Sequence, residues 1–406
     1  MILKEEIASA VAGQKKVVLK NNSVTKREAA KNLKPSSTHI EVITGIRRCG
    51  KSTLMRQIIS ESQTDFSYLN FEDPRIFGFE IGDFPKLDEV FGAENSTYFF
   101  DEIQNVPGWE VYVRQLHDRG EKVYVTGSNA SLLSRELGTR LTGRYLAHEI
   151  FPFSYREFLE YNARPDEQAS FEEYLNSGGF PEYLRDKNPE VLQNLLKDIV
   201  FRDIAIRYSI KNTKTLMDIT LFLISNVGKE MSFNSLKKTF EVGSATTVSD
   251  YLSWLEDAYL LFFLPRFSWS AKSISKNPKK VYCIDTGFAK ANSLSFSKDQ
   301  GRLLENLVYI LLRKTRLKTF YFRENKECDF VVFEGDSCKW LIQVTERIHL
   351  DNQKREVDGL TEAMEFFGKT EGFILTLDQR DTLSSEGKTF RILPVKEFLA
   401  EYLNKP

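Results

Sequence analysis

The stretch Ile40-Glu41-Val42-Ile43-Thr44-Gly45-Ile46-Arg47-Arg48-Cys49-Gly50-Lys51-Ser52-Thr53 decides the reading of this chain. A β-branched strand over 40–44 delivers a loop bounded by two glycines to Lys-Ser-Thr and a helix over 52–62. Phosphate binding needs that order, because backbone N–H groups must wrap the phosphates while a helix start faces them. Gly45 and Gly50 permit the tight loop, Ile46, Arg47, Arg48 and Cys49 supply its backbone, and Lys51 reaches the outer phosphates as a point charge. Ser52 offers a hydroxyl to magnesium, and Thr53 can donate to an inner phosphate.

Downstream, Thr97-Tyr98-Phe99-Phe100-Asp101-Glu102 is an apolar strand ending in two acids, about fifty residues after the loop. That is the pattern of a Walker B strand, with Asp101 holding magnesium through its water shell and Glu102 orienting or deprotonating the attacking water. A further strand, Val123-Tyr124-Val125-Thr126-Gly127-Ser128-Asn129, ends in small polar residues. Ser128 or Asn129 fits a sensor of phosphate or water, and Ser128 equally fits a helix N-cap. Asn70-Phe71-Glu72-Asp73 ends the second strand near the same face, its acids either ordering water or solvating a loop. The cofactors expected are ATP and Mg2+.

Outward from this core, 406 residues with 41% hydrophobic and 28% charged content are enough for a buried core and too many for one ordinary domain. Residues 1–36 read as a short helix and polar lead-in closed by a turn at Lys34-Pro35-Ser36-Ser37. Residues 37–155 alternate strands and helices as a parallel α/β sheet does. Helical periodicity alone over 156–225 suggests a lid. Residues 226–290 give two short helices and a β-ribbon, and 291–406 give helix, strands, helix and strand. Four cysteines without a CxxC pair exclude a zinc ribbon or a disulfide framework. The acidic start Met1-Ile2-Leu3-Lys4-Glu5-Glu6 is unlike a signal peptide, and no apolar run reaches the roughly 18 residues of a spanning helix, so a soluble cytoplasmic protein with no membrane partner is expected.

The order of these motifs, followed by Leu141-Thr142-Gly143-Arg144 and Phe151-Pro152-Phe153-Ser154-Tyr155-Arg156-Glu157-Phe158, resembles the AAA-type prokaryotic ATPases of the archaeal-type family. Those proteins also carry a Gly-Gly-Phe-Pro segment, matched by Gly178 to Pro181, an Arg-Asp-Ile helix, matched by Arg202-Asp203-Ile204, and a companion domain of unknown function. The resemblance runs from about Ile40 to the end. It implies an ATP-hydrolysing P-loop NTPase, with ATP and ADP as ligands and a homo-oligomer as a candidate assembly. It also makes Arg144, or alternatively Arg140, the candidate arginine that meets a γ-phosphate in cis or across a subunit boundary; a surface arginine is the plain alternative.

The text from Met231 to Ala258 reads as a winged helix-turn-helix, with a glycine turn at Gly243. Its ribbon, 260–280, carries Arg266, Lys272, Lys276, Lys279 and Lys280, without an acid and interleaved with aromatics, which suits a wing on a phosphate backbone. The second helix offers no basic side chain to base edges, so DNA contact stands beside packing or oligomerisation. In the last domain, Glu305, Asp329 and Gln343-Val344-Thr345 are spaced as in a restriction-endonuclease-like α/β fold, but Gln343 stands where an acid is usual and Thr345 where a lysine is usual. Metal-activated cleavage lacks its charged group there, so nuclease activity is not expected. The rival readings are an ATP-gated nuclease and a slow regulatory ATP switch for protein partners.

Overall fold

The computed structural model describes residues 2–20, 25–33, 38–62, 65–92, 97–129, 141, 143–295 and 299–403. The expected turn at Lys34-Pro35-Ser36-Ser37, Arg140 and Thr142 lie outside the described residues. The chain forms two compact units, residues 1–164 with 257–259, and residues 165–256 with 260–406.

The first unit runs α1 (Lys4–Lys20), β1 (Ile40–Thr44), α2 (Lys51–Glu61), β2 (Ser67–Asn70), α3 (Phe84–Phe91), β3 (Thr97–Asp101), α4 (Trp109–Asp118), β4 (Lys122–Gly127), β5 (Tyr145–Glu149) and α5 (Tyr155–Asn162). Its sheet has the order β2-β3-β4-β1-β5, parallel throughout. Strands covered on both faces need apolar side chains in both directions, and β1 is buried at every position. The one charge in it, Glu41, is met by Lys122 at 2.8 Å and His148 at 2.7 Å from the flanking strands. Burial pushes that carboxyl up, and the bonds from His148 and Lys122 outweigh it, leaving Glu41 below its ordinary value.

The N-terminal helix, expected ahead of the core, is folded into it. α1 buries Ile7, Ala10 and Val18, and the Gln14 amide accepts from the Asn70 N–H at 2.7 Å and donates to the Asn70 carbonyl at 3.2 Å. That side chain completes the edge of β2 as a neighbouring strand would. The register aligns Thr44 with Gly127 and Glu149, and Asn70 with Asp101, so the loops after β1, β3 and β4 leave from one edge of the sheet. In parallel α/β sheets this carboxyl edge is where ligands bind.

The second unit begins with α6 (Gln168–Ser177), α7 (Pro181–Asp186) and α8 (Glu190–Lys197), which continues into a π-helical stretch, Asp198–Ile206, holding Arg202-Asp203-Ile204. α9 (Thr213–Ile224), β6 (Glu230–Met231), α10 (Phe233–Thr239), α11 (Ala245–Asp257), β7 (Leu261–Pro265), α12 (Ala271–Lys276) and β8 (Lys279–Cys283) follow, with the strands in an antiparallel sheet of order β6-β8-β7. The β-ribbon expected here is the β7–β8 pair, and its connection folds into α12. After α13 (Thr286–Asn292) and α14 (Gln300–Lys314) come β9 (Lys318–Arg323), β10 (Glu327–Glu334), β11 (Ser337–Val344), α15 (Leu350–Phe367), β12 (Glu371–Thr376), β13 (Asp381–Ser385), β14 (Lys388–Pro394) and α16 (Val395–Phe398). They build a mixed sheet of order β13-β14-β12-β11-β10-β9.

Of residues 156–225, read as a lid, those from 165 onward cluster with this unit. The Gly178-Gly179 pair explains part of that. A Cβ on Gly178 would come within 2.0 Å of Asp285 Oδ1, and one on Gly287 within 1.9 Å of the Ser177 carbonyl oxygen. Only glycine lets the end of α6 and the start of α13 approach so closely.

Candidate active site

At the carboxyl edge of the parallel sheet, the loop from Gly45 to Gly50 joins β1 to α2. Gly45 and Gly50 have φ of 153° and 99°, and Arg48 has φ 64°. A Cβ on Gly45 would sit 2.1 Å from the Ile150 carbonyl oxygen, so the loop is pressed against the segment that leaves β5. Lys51 donates to the carbonyls of Gly45 at 3.1 Å and Ile46 at 3.2 Å, and its ammonium is 3.5 Å from Glu102. Burial works against that charge, but Glu102 and Asp101 outweigh it and hold the lysine above its usual value. Arg47 pairs with Glu72 at 2.7 Å. Glu72 is therefore a partner of the loop, while Asp73 pairs with Arg75 at 2.6 Å.

The two acids at the end of β3, Asp101 within it and Glu102 just after it, are driven apart in their titration. Asp101 is raised by burial and then by Glu102, despite bonds from Thr126, Ser52 and Tyr68. The Ser52 hydroxyl and the Asp101 carboxylate thus stand in contact, which is the donor pair a magnesium ion would use. For Glu102, burial is outweighed by Lys51 and by a hydrogen bond from Gln104, so its carboxylate form is favoured. Glu102 has φ 51°, an uncommon backbone for a non-glycine residue. It is fixed by its own N–H, which donates to Thr126 Oγ1 at 2.9 Å, while that hydroxyl donates to Asp101.

Ser128 and Asn129 leave β4 at the same edge and are buried; Ser128 Oγ accepts from Gln104 at 3.4 Å. Thr53 lies on the first turn of α2. Arg144 does not join the site. It precedes β5, whose Tyr145 pairs with Ile40 and whose Glu149 pairs with Thr44, so it stands at the amino end of the strands, opposite the loop. Four strand steps separate those ends, about 13 Å at the usual rise. Its guanidinium pairs with Asp118 at 3.4 Å. An arginine acting in cis is therefore not Arg144. Sequence reasoning passed over Tyr68, Thr126 and Gln104, whose partners became visible only with the sheet order; Tyr68 donates to Asp101 Oδ2 at 3.0 Å.

In the second unit Glu305, Asp329 and Gln343 do come together, with an unexpected guest. Lys280, a candidate nucleic-acid contact in the sequence, is buried, its ammonium 2.7 Å from Asp329, 2.7 Å from Glu327 and 3.0 Å from Glu305. It cannot face a phosphate backbone. The positive charge that Thr345 lacks comes instead from β8. Asp329 also accepts from the Val344 N–H at 2.9 Å, and Gln343 donates to Glu356 at 2.8 Å. Thr345 faces Arg347 and Asn352 instead, donating to the Arg347 carbonyl at 3.4 Å and accepting from Asn352 at 3.3 Å. Of the remaining basic residues, Arg266 donates to the Arg323 carbonyl, Lys279 lies 5.8 Å from the Phe233 ring centre, and Lys272 and Lys276 are exposed on α12.

The parallel sheet, its glycine-bounded loop and the Asp-Glu pair define a P-loop ATPase of the AAA type. Comparison with known proteins agrees. The AAA domain family matches residues 37–159, and a domain of unknown function (DUF8612) matches residues 168–299. The chain is 37% identical to the uncharacterized protein MJ1544 of Methanocaldococcus jannaschii over 379 residues, covering 86% of this chain and 85% of the relative. It is 32% identical to an uncharacterized protein of Haemophilus influenzae, covering 79% and 85%. This chain belongs to the same family as those proteins. Among solved structures, it is similar to a signal transduction ATPase with numerous domains, PH0952 of Pyrococcus horikoshii, at TM-score 0.27 and 14% identity, covering 73% of this chain and 46% of that one. The likeness to the Hsp104-ADP complex of S. cerevisiae has TM-score 0.32 and 15% identity, covering 60% and 41%. No helix among the described residues is long and apolar enough to cross a membrane.

Proposed function

We propose that this chain binds ATP with magnesium at residues 45–53 and hydrolyses it to ADP and phosphate. The observation that carries the reading is the meeting of Lys51, Ser52, Asp101 and Glu102 at one sheet edge. The loop N–H groups and Lys51 hold the phosphates, and Ser52 and Asp101 hold the metal. Magnesium, when bound, neutralises phosphate charge. Glu102, favoured as the carboxylate, accepts the proton of the attacking water, and Gln104 and Thr126 fix its position. Asn129 or Ser128 senses the terminal phosphate. Lys51→Ala should abolish nucleotide binding, and Glu102→Gln should keep binding while turnover falls at least about 100-fold. Both are read by equilibrium binding and phosphate release, and a Glu102→Gln chain that turns over at the wild-type rate would remove the base assignment.

Contact with nucleic acid is a second reading, favoured by Trp269, which is 78% exposed, just ahead of the exposed Lys272 and Lys276 on α12. An aromatic face beside two cations suits backbone and stacking contacts, insensitive to sequence. Changing Lys272 and Lys276 to Ala should flatten the salt dependence of DNA affinity. An intact chain that binds no DNA at low salt ends this reading. We do not assign cleavage to the Glu305–Asp329 cluster, because Lys280 fills the space between its carboxylates.

A further inference from the structure

Arg27 stands ahead of β1, outside every stretch read as nucleotide chemistry, yet its side chain is only 3% exposed. Its guanidinium reaches three partners. Nη1 donates to the Cys49 carbonyl at 2.6 Å, Nη2 to the Phe151 carbonyl at 2.7 Å and Nε to the Glu157 carboxylate at 2.9 Å, with the Phe153 ring centre 5.3 Å away. Glu157 is itself fixed as one half of the capping box of α5. It accepts from the Ser154 N–H at 2.8 Å and also from the Glu28 N–H at 2.8 Å, and the Ser154 hydroxyl donates to Glu28 at 2.6 Å. The Phe151-to-Phe158 motif, which the ATPase chemistry does not use, is thus the receptor for Arg27.

The Cys49 contact bears directly on the loop. A trans peptide is planar, with its carbonyl and N–H pointing to opposite sides. Drawing the Cys49 oxygen toward Arg27 turns the Gly50 N–H the other way, and a P-loop works by turning such N–H groups on the phosphates. Gly50 also makes room for the contact, since a Cβ there would come within 2.6 Å of Arg27 Nη1. A residue that served only the fold could stop at Glu157 and Phe151.

We propose that Arg27 is a positioning residue for phosphate binding: through the Cys49 carbonyl it sets the Gly50 N–H as a phosphate donor, and through Phe151 and Glu157 it ties that peptide to the segment after β5. The inference rests on the reading of the loop as an ATP site.

Cys49-Gly50 is the only Cys-Gly step in the sequence, so the full chain carrying carbonyl-13C cysteine and 15N glycine gives one selected amide signal, that of Gly50. Mg-ADP titrated into the wild type should move that signal. Arg27→Lys keeps a cation beside Glu157 but cannot span three partners, and Arg27→Met with Glu157→Gln removes both buried charges together. Each variant should lose more than half of the Gly50 shift and weaken Mg-ADP about tenfold, the effect of one charge-assisted hydrogen bond. KM for ATP should rise more than kcat falls. If either folded variant shows the wild-type shift and affinity, the inference is overturned. If circular dichroism and thermal melts show both unfolded, Arg27 serves the fold and the inference is likewise overturned. A wild-type signal that Mg-ADP does not move sinks the ATP reading first, a result distinct from the other two.

Discussion

At position 280 a lysine sits where three carboxylates would otherwise repel one another. Burial opposes its charge, but Asp329, Glu305 and Glu327 hold the ammonium well above its ordinary value. Burial also pushes the Glu305 carboxyl up, to about 7, against the pull of Lys280. Removing one partner of such a buried set leaves uncompensated charge, so Lys280→Met should cost about 3–5 kcal/mol. Lys272→Ala and Lys276→Ala, on the exposed α12, should stay within about 0.5 kcal/mol. Urea midpoints of the three variants decide this, and a Lys280→Met chain as stable as wild type would mean the cluster is not held by charge. The contrast also explains what was legible in the sequence. That Lys51, Ser52, Asp101 and Glu102 lie together could be read because strand, loop and helix order fixes their positions locally. Lys280 and Arg27 could not, since their partners lie 25 to 49 and as many as 130 residues away. One faint signal existed: Lys280 and Tyr282 alternate onto one face of β8, and both reach Glu305.

At the scale of elements, the α6–α13 corner turns on Asp285. Its carboxylate caps α13 through the Phe288 N–H at 2.8 Å and accepts from the Gly179 N–H at 2.7 Å. Burial nonetheless pushes it up from 3.8 to about 6, against those backbone bonds and the distant pull of Lys314. An acid raised in the folded state makes stability fall as pH rises from its unfolded value to its folded one, the reverse of a salt-bridged carboxylate. The wild type should therefore lose up to about 3 kcal/mol relative to Asp285→Asn between roughly pH 4 and 6, and no more above that. Thermal melts of both chains across that window test it; parallel curves would show that Asp285 does not titrate there. Gly287→Ala should separately destabilise by more than about 2 kcal/mol, because the added methyl meets backbone that cannot move away. The Gly-Gly-Phe-Pro segment was visible in the sequence as an interruption. That it receives Asp285 required the fold, because nothing local marks which distant turn will pack on a glycine pair.

At the scale of the whole molecule, the alternation of strands and helices made the parallel sheet and its order of motifs legible, while the relation of the later segments to one another has no local mark in the sequence. Periodicity divides the chain into five segments, and by contact it clusters into two compact units; a change from strands to helices marks a change of layer as readily as a change of domain. The same scale decides what Arg144 can do. Its place at the amino end of β5 keeps it from the phosphates of its own chain, so an ATPase role requires a second copy to bring that end to the loop. Its pairing with Asp118 is solvent-exposed and weakly held, leaving the guanidinium able to change partners. If Arg144 acts in trans, the ATPase rate per chain should rise with protein concentration. Arg144→Ala and Lys51→Ala chains, each inactive alone, should recover activity when mixed, because a Lys51→Ala chain can offer its arginine to the intact loop of an Arg144→Ala chain. Sedimentation of the same mixtures shows whether mixed oligomers form. Mixed oligomers without recovered turnover, or a rate per chain that stays flat with concentration, would leave Arg144 as a surface residue paired with Asp118.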